Sequence, residues 1–348
     1  MKRSFIVTAA ALLAAVILFP IPVSAISAEK AIVIDANTQR VLYEKNADAT
    51  ALIASTTKIM TALVVCEQCN VLDRVKIPPE AVGIEGSSMY LKEGEILTVQ
   101  ELLYGLMLQS GNDAAVALAI YCGGTVEGFV SLMNDKAASL GLKNTKFENP
   151  NGLDGVQHYS TARDLAVLAA YAMSNPIFSQ VVSTKSVRVG ERTLTNHNKL
   201  LWRIDGAEGV KTGYTKAAGR TLVSSTVRDN RRLIVVTLNA PDDWNDHKQL
   251  TESGFQNFTV KQIIRKGDCV GTVEVAGGRT KTVELIAAED FSYALQNGEQ
   301  VEILPQPPGF VYAPVSRGQD AGVIYICIGE NAIGTVPVVY GKTIERKK

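Results

Sequence analysis

The chain has 348 residues, of which 46% are hydrophobic, and its 35 basic residues balance 35 acidic ones. This balance argues against a nucleic-acid partner, and the length suffices for a full hydrophobic core divided between two domains. The five cysteines are an odd number, which argues against a scaffold built on disulfides.

Residues 1–25 have the composition of a secretory signal peptide. Two basic residues precede an apolar run from Phe5 to about Phe19, and Val23-Ser24-Ala25 is a small-residue cleavage pattern. The run is shorter than the roughly 20 residues of a membrane-spanning helix. We expect cleavage after Ala25, with Ala28 as a second candidate site. The mature protein is then expected outside the cytoplasm, as a secreted protein, in the cell wall or at the outer face of the membrane.

The first half of the mature chain reads as one hairpin followed by helices. Residues 31–35 and 40–44 alternate in polarity around a turn, which predicts the hairpin. Apolar residues three and four apart predict a helix from about Ser55. The capping box Thr98-Val99-Gln100-Glu101 predicts the start of the next helix. Further helices are predicted over residues 112–121, 126–140 and 161–173.

Beyond residue 206 the periodicity becomes that of strands. Strands are predicted over residues 208–214, 220–227 and 232–239, followed by a short helix over 246–258. This pattern predicts an α+β domain over residues 26–258, in which an antiparallel sheet has flanking helices and a helical subdomain. Residues 259–348 contain short strand-like runs punctuated by Gly and Pro, which predicts a small all-β domain.

Three short strings carry the chemistry: Ser55-Thr56-Thr57-Lys58, Ser110-Gly111-Asn112 and Lys211-Thr212-Gly213. A Ser-x-x-Lys string alone has a high chance frequency, and the chain contains another, Ser27-Ala28-Glu29-Lys30. Ser55 differs from Ser27 because it opens an apolar helix and precedes both partner strings. The ordered set predicts a serine acyl-enzyme site.

Ser55 is the expected nucleophile. A serine needs a base within hydrogen-bond reach, and Lys58 lies one helical turn further on the same face. A lysine acts as a base only when its pKa is lowered by burial or by a second cation. Lys211 is the expected second cation.

The other two strings supply residues for proton relay and substrate binding. Ser110 is expected to relay a proton between Lys58 and the leaving amine, and Asn112 to orient the substrate amide. Lys211 and Thr212 suit a carboxylate on the substrate, and Gly213 lets the substrate backbone lie close.

Other interpretations of these residues are weaker. A Ser-His-Asp triad would have to use His158, His197 or His247, but no Gly-x-Ser-x-Gly elbow is present, so we interpret each histidine as a structural hydrogen-bonding residue. Cys66-Glu67-Gln68-Cys69 lacks partners for a zinc site, which favours packing or a local disulfide over a redox or metal role. Singly, the three strings also suit a helix cap, a turn and a strand end.

The three strings, extended by Tyr214 and Thr215, resemble the motifs of the low-molecular-mass penicillin-binding proteins that are serine-type D-alanyl-D-alanine carboxypeptidases. Residues 149–154 and 158–165 agree with the same family, and the resemblance covers residues 29–258 closely. It implies a β-lactamase/transpeptidase-like domain in which Ser55 removes the terminal D-alanine from peptidoglycan stem pentapeptides. It also implies an oxyanion hole made by the backbone N–H groups of Ser55 and Tyr214, acylation by β-lactam antibiotics, and no metal or organic cofactor.

Two alternatives remain open beside this resemblance. Class A β-lactamases share the strings, but they typically have Ser-Asp-Asn where this chain has Gly111, and they carry a glutamate for deacylation that has no convincing equivalent here. A catalytically silent protein that binds wall peptides or β-lactams is the other alternative.

Two departures within the family bear on role and location. Several carboxypeptidases have His where this chain has Tyr214, and a tyrosine there is similar to sporulation-associated members. Many relatives end in an amphipathic membrane-anchoring helix, whereas residues 335–340 are strand-like and residues 342–348 are polar. We expect release of the mature protein, or peripheral contact with the wall or membrane surface.

Overall fold

The computed structural model describes residues 26–305 and 309–348, so the predicted signal peptide lies outside the described residues. The chain begins with β1 (Lys30–Asp35), β2 (Val41–Lys45), α1 (Lys58–Gln68), β3 (Arg74–Lys76), β4 (Ile96–Thr98), α2 (Val99–Leu108), α3 (Asn112–Gly123), α4 (Val126–Ser139), α5 (Ala162–Ala172) and α6 (Pro176–Ser183). It continues with β5 (Ser186–Val189), β6 (Arg192–Thr195), α7 (Leu200–Arg203), β7 (Ala207–Thr215), β8 (Gly219–Arg228), β9 (Arg231–Leu238) and α8 (Asp243–Asn257). The remaining strands are β10 (Phe258–Ile264), β11 (Cys269–Ala276), β12 (Thr282–Ala287), β13 (Phe291–Gln296), β14 (Glu302–Pro305), β15 (Phe310–Tyr312), β16 (Asp320–Ile328) and β17 (Asn331–Tyr340).

A five-stranded antiparallel sheet with the order β2-β1-β9-β8-β7 is the framework for the helices. Strand β1 pairs with β9, which follows some 200 residues later in the chain, with Lys30 opposite Leu238 and Asp35 opposite Leu233. The helices α1 to α6 are therefore inserted between two parts of one sheet, and the predicted α+β arrangement is confirmed.

Helices α1, α2 and α3 pack into a single apolar core against this sheet. The predicted capping box opens α2, because the Glu101 N–H donates to Thr98 Oγ1 at 3.2 Å and the Thr98 N–H donates to Glu101 Oε2 at 2.7 Å. In α3, alanines make up much of the buried surface, so neighbouring helices approach it closely.

The helix predicted from Ser55 begins differently. Residues Ala54–Thr57 form a 3-10 turn, and the α-helix starts only at Lys58. Ala54 has a φ of +46°, a left-handed conformation that is costly for a residue with a Cβ. The turn sets Ser55 immediately before the N-terminus of α1.

The segment after the predicted cleavage site is part of the fold. The Ser27 N–H and hydroxyl donate to the two oxygens of Asp246 on α8, at 2.9 and 2.8 Å, and the Ala28 N–H donates to the same carboxylate at 2.9 Å. Lys30 contacts Glu29 at 2.6 Å. The second Ser-x-x-Lys string is therefore structural.

The C-terminal strands form a six-stranded sheet with the order β14-β16-β17-β12-β11-β15 and a two-stranded ribbon of β10 and β13. Their apolar side chains make a core of their own, and the predicted all-β character is confirmed. The end of the chain lies on this body, because Ile344 is buried and pairs with Val315, and Arg346 Nε donates to the Ala313 carbonyl at 2.8 Å.

Arg40, next to β2, joins the two bodies. Its guanidinium contacts both carboxylate oxygens of Glu299 at 2.6 Å and donates to the Ala294 carbonyl at 2.5 Å. It also lies over the rings of Phe258 and Tyr293, 5.0 and 5.2 Å from their centres.

No single helix among the described residues is long and apolar enough to cross a bilayer, although two sharply bent helix pairs, α3 with α4 and α5 with α6, reach the necessary length and composition together.

Candidate active site

The fold brings the first two strings into direct contact. Lys58 Nζ lies 2.9 Å from Ser55 Oγ and 2.7 Å from Asn112 Oδ1. It also lies 2.5 Å from the carbonyl oxygen of Asn151. Lys58 is completely buried, so these three oxygens surround its amine in place of water.

Burial and a neighbouring charge set the protonation of this amine. Burial lowers the pKa of Lys58 well below its ordinary value, and the charge of Lys211 lowers it further, while Asp113 acts in the opposite direction. A neutral amine has two N–H groups and one lone pair. Asn112 Oδ1 and the Asn151 carbonyl can only accept, so they take the two N–H groups, and the lone pair is left for the Ser55 hydroxyl proton.

Asn112 is the first residue of α3, and the loop between β3 and β4 holds it in place. Its Nδ2 donates to the Glu85 carbonyl at 2.5 Å, which fixes Oδ1 as the atom facing Lys58. Asp113 is also buried and accepts hydrogen bonds from the Met89 and Leu91 N–H groups at 3.1 and 3.0 Å. The sequence offered no reason to single out Asp113.

Ser110 lines the same pocket as Ser55. It is 5% exposed and has a φ of +60°, a conformation that few residues other than glycine adopt without strain. The tight turn between α2 and α3 imposes this backbone geometry and brings the hydroxyl to the pocket wall.

The third string lies on β7, at the edge of the sheet. Lys211 is 1% exposed, and burial lowers its pKa to about 7. Its Nζ donates to the Thr212 carbonyl at 2.8 Å. Thr212, Gly213 and the exposed Tyr214 line the pocket.

Gly213 lies against the backbone of Ser55. A Cβ added to Gly213 would lie 2.9 Å from Ser55 N and 2.4 Å from Thr221 Oγ1. Contacts of this length are closer than real Cβ atoms make. Only glycine therefore lets β7 approach the turn that carries Ser55.

A buried histidine supports this turn from behind. His158 Nδ1 accepts the Glu148 N–H at 3.1 Å, so Nε2 carries the proton and donates to Thr57 Oγ1, 2.7 Å away. Thr57 Oγ1 in turn donates to the Ala54 carbonyl at 2.8 Å. Burial lowers the pKa of His158 to about 4, so the ring is neutral near pH 7. The expectation of a structural hydrogen-bonding role fits, and the partner of His158 is the turn that carries Ser55.

The other two histidines have different surroundings. His247 is buried between Ser224 of β8 and Thr237 of β9, at 2.7 and 3.0 Å from their hydroxyls, and it fastens α8 to the sheet. His197 lines the pocket, which the interpretation as a structural loop residue did not anticipate.

The pocket has a volume of about 400 Å³ and extends from Ser55 to a charged rim. At this rim Arg220 pairs with Asp243 at 2.8 Å and lies over the Trp244 ring, 5.7 Å from its centre. Sequence reasoning missed these three residues and Asn151. Among the described residues, no group of three or more His, Cys, Asp and Glu side chains is arranged to hold a metal ion.

Comparison with known proteins places the chain in a family. Residues 19–242 match the model described as D-alanyl-D-alanine carboxypeptidase, peptidase S11, and residues 258–346 match the model of the penicillin-binding protein 5 C-terminal domain. D-alanyl-D-alanine carboxypeptidase DacF of Bacillus subtilis is 33% identical over 327 residues, which cover 89% of this chain and 84% of the relative. DacC of Escherichia coli is 34% identical over 335 residues, covering 90% and 83%.

Solved structures give the same result. Penicillin-binding protein 5 from Haemophilus influenzae superposes with a TM-score of 0.81 at 30% identity, covering 93% of this chain and 99% of that one. Fold and site together define a serine hydrolase with the penicillin-binding-protein fold. The chain belongs to the D-alanyl-D-alanine carboxypeptidase family, peptidase S11, and is a serine-type carboxypeptidase, as the resemblance of its motifs implied.

Proposed function

We propose that Ser55 is the nucleophile of this carboxypeptidase and that Lys58 is its base. The 2.9 Å contact between Ser55 Oγ and the Nζ of a completely buried Lys58 carries the proposal. The lone pair of a neutral Lys58 accepts the serine proton as Oγ attacks the carbonyl of the penultimate D-alanine. Ser110, which lines the same pocket, then passes the proton to the leaving amine, and the terminal D-alanine departs.

In this proposal the backbone N–H groups of Ser55 and Tyr214 form the oxyanion hole. The close approach of Gly213 to Ser55 N supports this arrangement. Tyr214 is the next residue on β7, so its backbone lies near that of Ser55. Fixed N–H groups aimed at the developing negative charge are a large source of rate acceleration in acyl transfer.

The free carboxylate of the substrate binds at Thr212 and Lys211, with Asn112 orienting the substrate amide. Support comes from the pocket wall, which Ser55, Thr212 and Gly213 line together, and from the buried Lys211, the residue before Thr212. A cation in a site shielded from water interacts strongly with a carboxylate.

For the deacylation step, Lys58 is the base that we propose for the attacking water. Asp243 is the carboxylate that lines the pocket, and it is paired with Arg220. This pairing favours a carboxypeptidase over a class A β-lactamase, in which a free glutamate serves that purpose.

The substrate class is peptidoglycan stem peptides ending in D-Ala-D-Ala, and β-lactams are covalent inhibitors at Ser55. We place the mature enzyme outside the cytoplasm, with residues 26–258 as the catalytic domain and residues 259–348 as the C-terminal β domain. The family names of the relatives, and the signal-peptide composition of residues 1–25, support this assignment.

A coupled assay tests the proposal. Purified protein should release D-alanine from a peptide ending in D-Ala-D-Ala and should bind fluorescent penicillin, and Ser55→Ala should lose both. Ser27→Ala, in the structural Ser-x-x-Lys string, is the matched control and should retain both. Labelling without D-alanine release would favour a silent binding protein, and rapid penicillin hydrolysis would favour a β-lactamase.

A further inference from the structure

Helices α1 and α3 start at the active site and run away from it side by side. Their N-terminal ends are joined by the 2.7 Å contact between Lys58 and Asn112. Lys58 is the first residue of α1, and Cys69 directly follows the last residue of that helix, 11 positions later. Cys122 lies within α3, 10 positions after Asn112. At 1.5 Å per residue, both cysteines therefore lie roughly 15 Å from the site, at the same level.

The two thiols meet at this far end. Cys69 and Cys122 are hydrogen-bonded to each other there, and both residues are half-buried, so solvent reaches them. A second contact holds the same ends together, because the Tyr121 hydroxyl donates to Asp73 Oδ2 at 2.9 Å. Neither thiol has a part in the proposed reaction.

The hydrogen bond makes the two thiols unequal. It lowers the pKa of Cys122 and raises the pKa of Cys69, which is raised further by burial. Because the thiolate is the reactive form of cysteine, Cys122 is the thiol that reacts first. Burial raises the pKa of the nearby Cys66 to about 12, so Cys66 is the least reactive of the three.

We propose that Cys69 and Cys122 form a disulfide that locks the distal ends of α1 and α3 together. The Cys122 thiolate attacks a low-molecular-mass disulfide, expels one thiol and forms a mixed disulfide. Deprotonated Cys69 then attacks the Cys122 sulfur and expels the second thiol. The protein loses two electrons and two protons, and one external disulfide becomes two thiols.

The backbone favours this pair over the Cys-x-x-Cys partner, Cys66. Cys66 lies within α1, whereas Cys69 has left the helix with a φ of −118° and a ψ of 147°. The extended backbone at Cys69 ends the helical path that Cys66 follows, and Cys69 is the residue hydrogen-bonded to Cys122. A bond to Cys122 closes a loop of more than 50 residues, which restricts the unfolded chain far more than a bond across three residues.

Peptide mapping of the full-length protein tests the proposal. The reduced protein is exposed to oxidised glutathione, free thiols are blocked, and the protein is digested with trypsin. We expect residues 59–74 and 93–136 to be recovered as one linked pair, two hydrogen atoms lighter than the separate peptides, with fragmentation placing the bond on Cys69. Cys66→Ser should retain the link, and Cys69→Ser and Cys122→Ser should lose it.

Thermal unfolding supplies a second readout. The oxidised protein should melt about 5 °C higher than the reduced protein, and Cys69→Ser should show no such difference. Fluorescent-penicillin labelling shows that each variant is folded. A bond between Cys66 and Cys69, a bond from Cys66 to Cys122, or thiols that stay free in the folded wild-type protein would each overturn the proposal.

Discussion

Lys58 and Lys211 are both buried, and burial lowers the pKa of each. In the proposed reaction Lys58 has to be neutral to accept a proton, whereas Lys211 has to be charged to bind a carboxylate. A carboxylate that arrives beside Lys211 favours its charged form. Because the charge of Lys211 lowers the pKa of Lys58, substrate binding itself drives Lys58 towards the form that acts as a base.

This coupling predicts the pH dependence of the enzyme. With a pKa of about 7 in the free enzyme, Lys211 loses its charge as the pH rises, so kcat/KM for a D-Ala-D-Ala peptide should fall above about pH 7. The corresponding fall in kcat should occur at a higher pH, because the bound carboxylate raises the pKa of Lys211. Steady-state kinetics between pH 5 and 10 measure both.

The variant Lys211→Gln tests whether Lys211 is the group that causes this fall in kcat/KM. It should lower kcat/KM by about tenfold or more below pH 7 and should abolish the limb near pH 7. An unchanged alkaline limb in a folded Lys211→Gln protein would assign that limb to another group.

Among the elements, the contact between β7 and the 3-10 turn positions Ser55, the proposed nucleophile. The turn gives Ser55 its place before α1, and Gly213 lets the strand come within a van der Waals contact of the Ser55 backbone. His158 and Thr57 hold the other side of the same turn. The nucleophile is thus fixed between a strand and a buried hydrogen-bond chain.

Gly213→Ala should separate these elements. The added methyl group forces β7 away from the turn. A misplacement of about 1 Å at a reacting centre costs about 100-fold in rate. We expect kcat/KM and the rate of penicillin acylation to fall by roughly 10- to 100-fold. Gly309→Ala is the matched control, because a Cβ there meets no atom within 4 Å. Normal acylation by Gly213→Ala would show that the contact has no part in positioning Ser55.

The sequence predicts elements well where the signal is local. The capping box at Thr98 fixed the start of α2, and the spacing of Ser55 and Lys58 predicted their contact. Helix α6 was missed although Asn175 caps it and Pro176 is its first residue, a local signal that was available. The short hairpin of β5 and β6 has four residues in each strand. Four residues are too few to show the alternation of polar and apolar side chains that predicts a strand.

Other parts of the site have no local signal. Lys58 contacts Asn151 through a backbone carbonyl, and any residue type could supply that atom. His158 supports a turn about 100 residues away in the chain, and Arg220 meets Asp243 only because α8 packs beside β8. Such contacts depend on the tertiary fold, so a single sequence does not reveal them.

For the whole molecule, Arg40 is a polar link between the sheet and the C-terminal ribbon. It combines a two-point ion pair with Glu299 and contacts to the Phe258 and Tyr293 rings. Arg40 and Glu299 have exposed side-chain fractions of 13% and 21%. Partial shielding of this kind makes a two-point pair stronger than an ordinary surface ion pair.

Arg40→Ala should loosen this link without disturbing the active site. We expect faster proteolysis near Phe258 and a loss of about 1–3 kcal/mol in the unfolding free energy of the C-terminal strands. Penicillin labelling of Ser55 should stay within about twofold of wild type, since additivity holds for distant sites. Arg74→Ala, at an exposed position on β3, is the control. Equal proteolysis of both variants would mean that other contacts hold the two bodies together.

The pairing of β1 with β9 has a consequence for biosynthesis. A ribosome that makes about 5–20 residues per second leaves β1 without this partner for about 10–40 s, because some 200 residues separate the two strands. Asp246, which accepts hydrogen bonds from Ser27 and Ala28, is synthesised later still. During that interval β1 presents unpaired N–H and C=O groups, a template for wrong strand pairing. The nascent chain therefore has to be shielded until nearly the whole sheet has been synthesised.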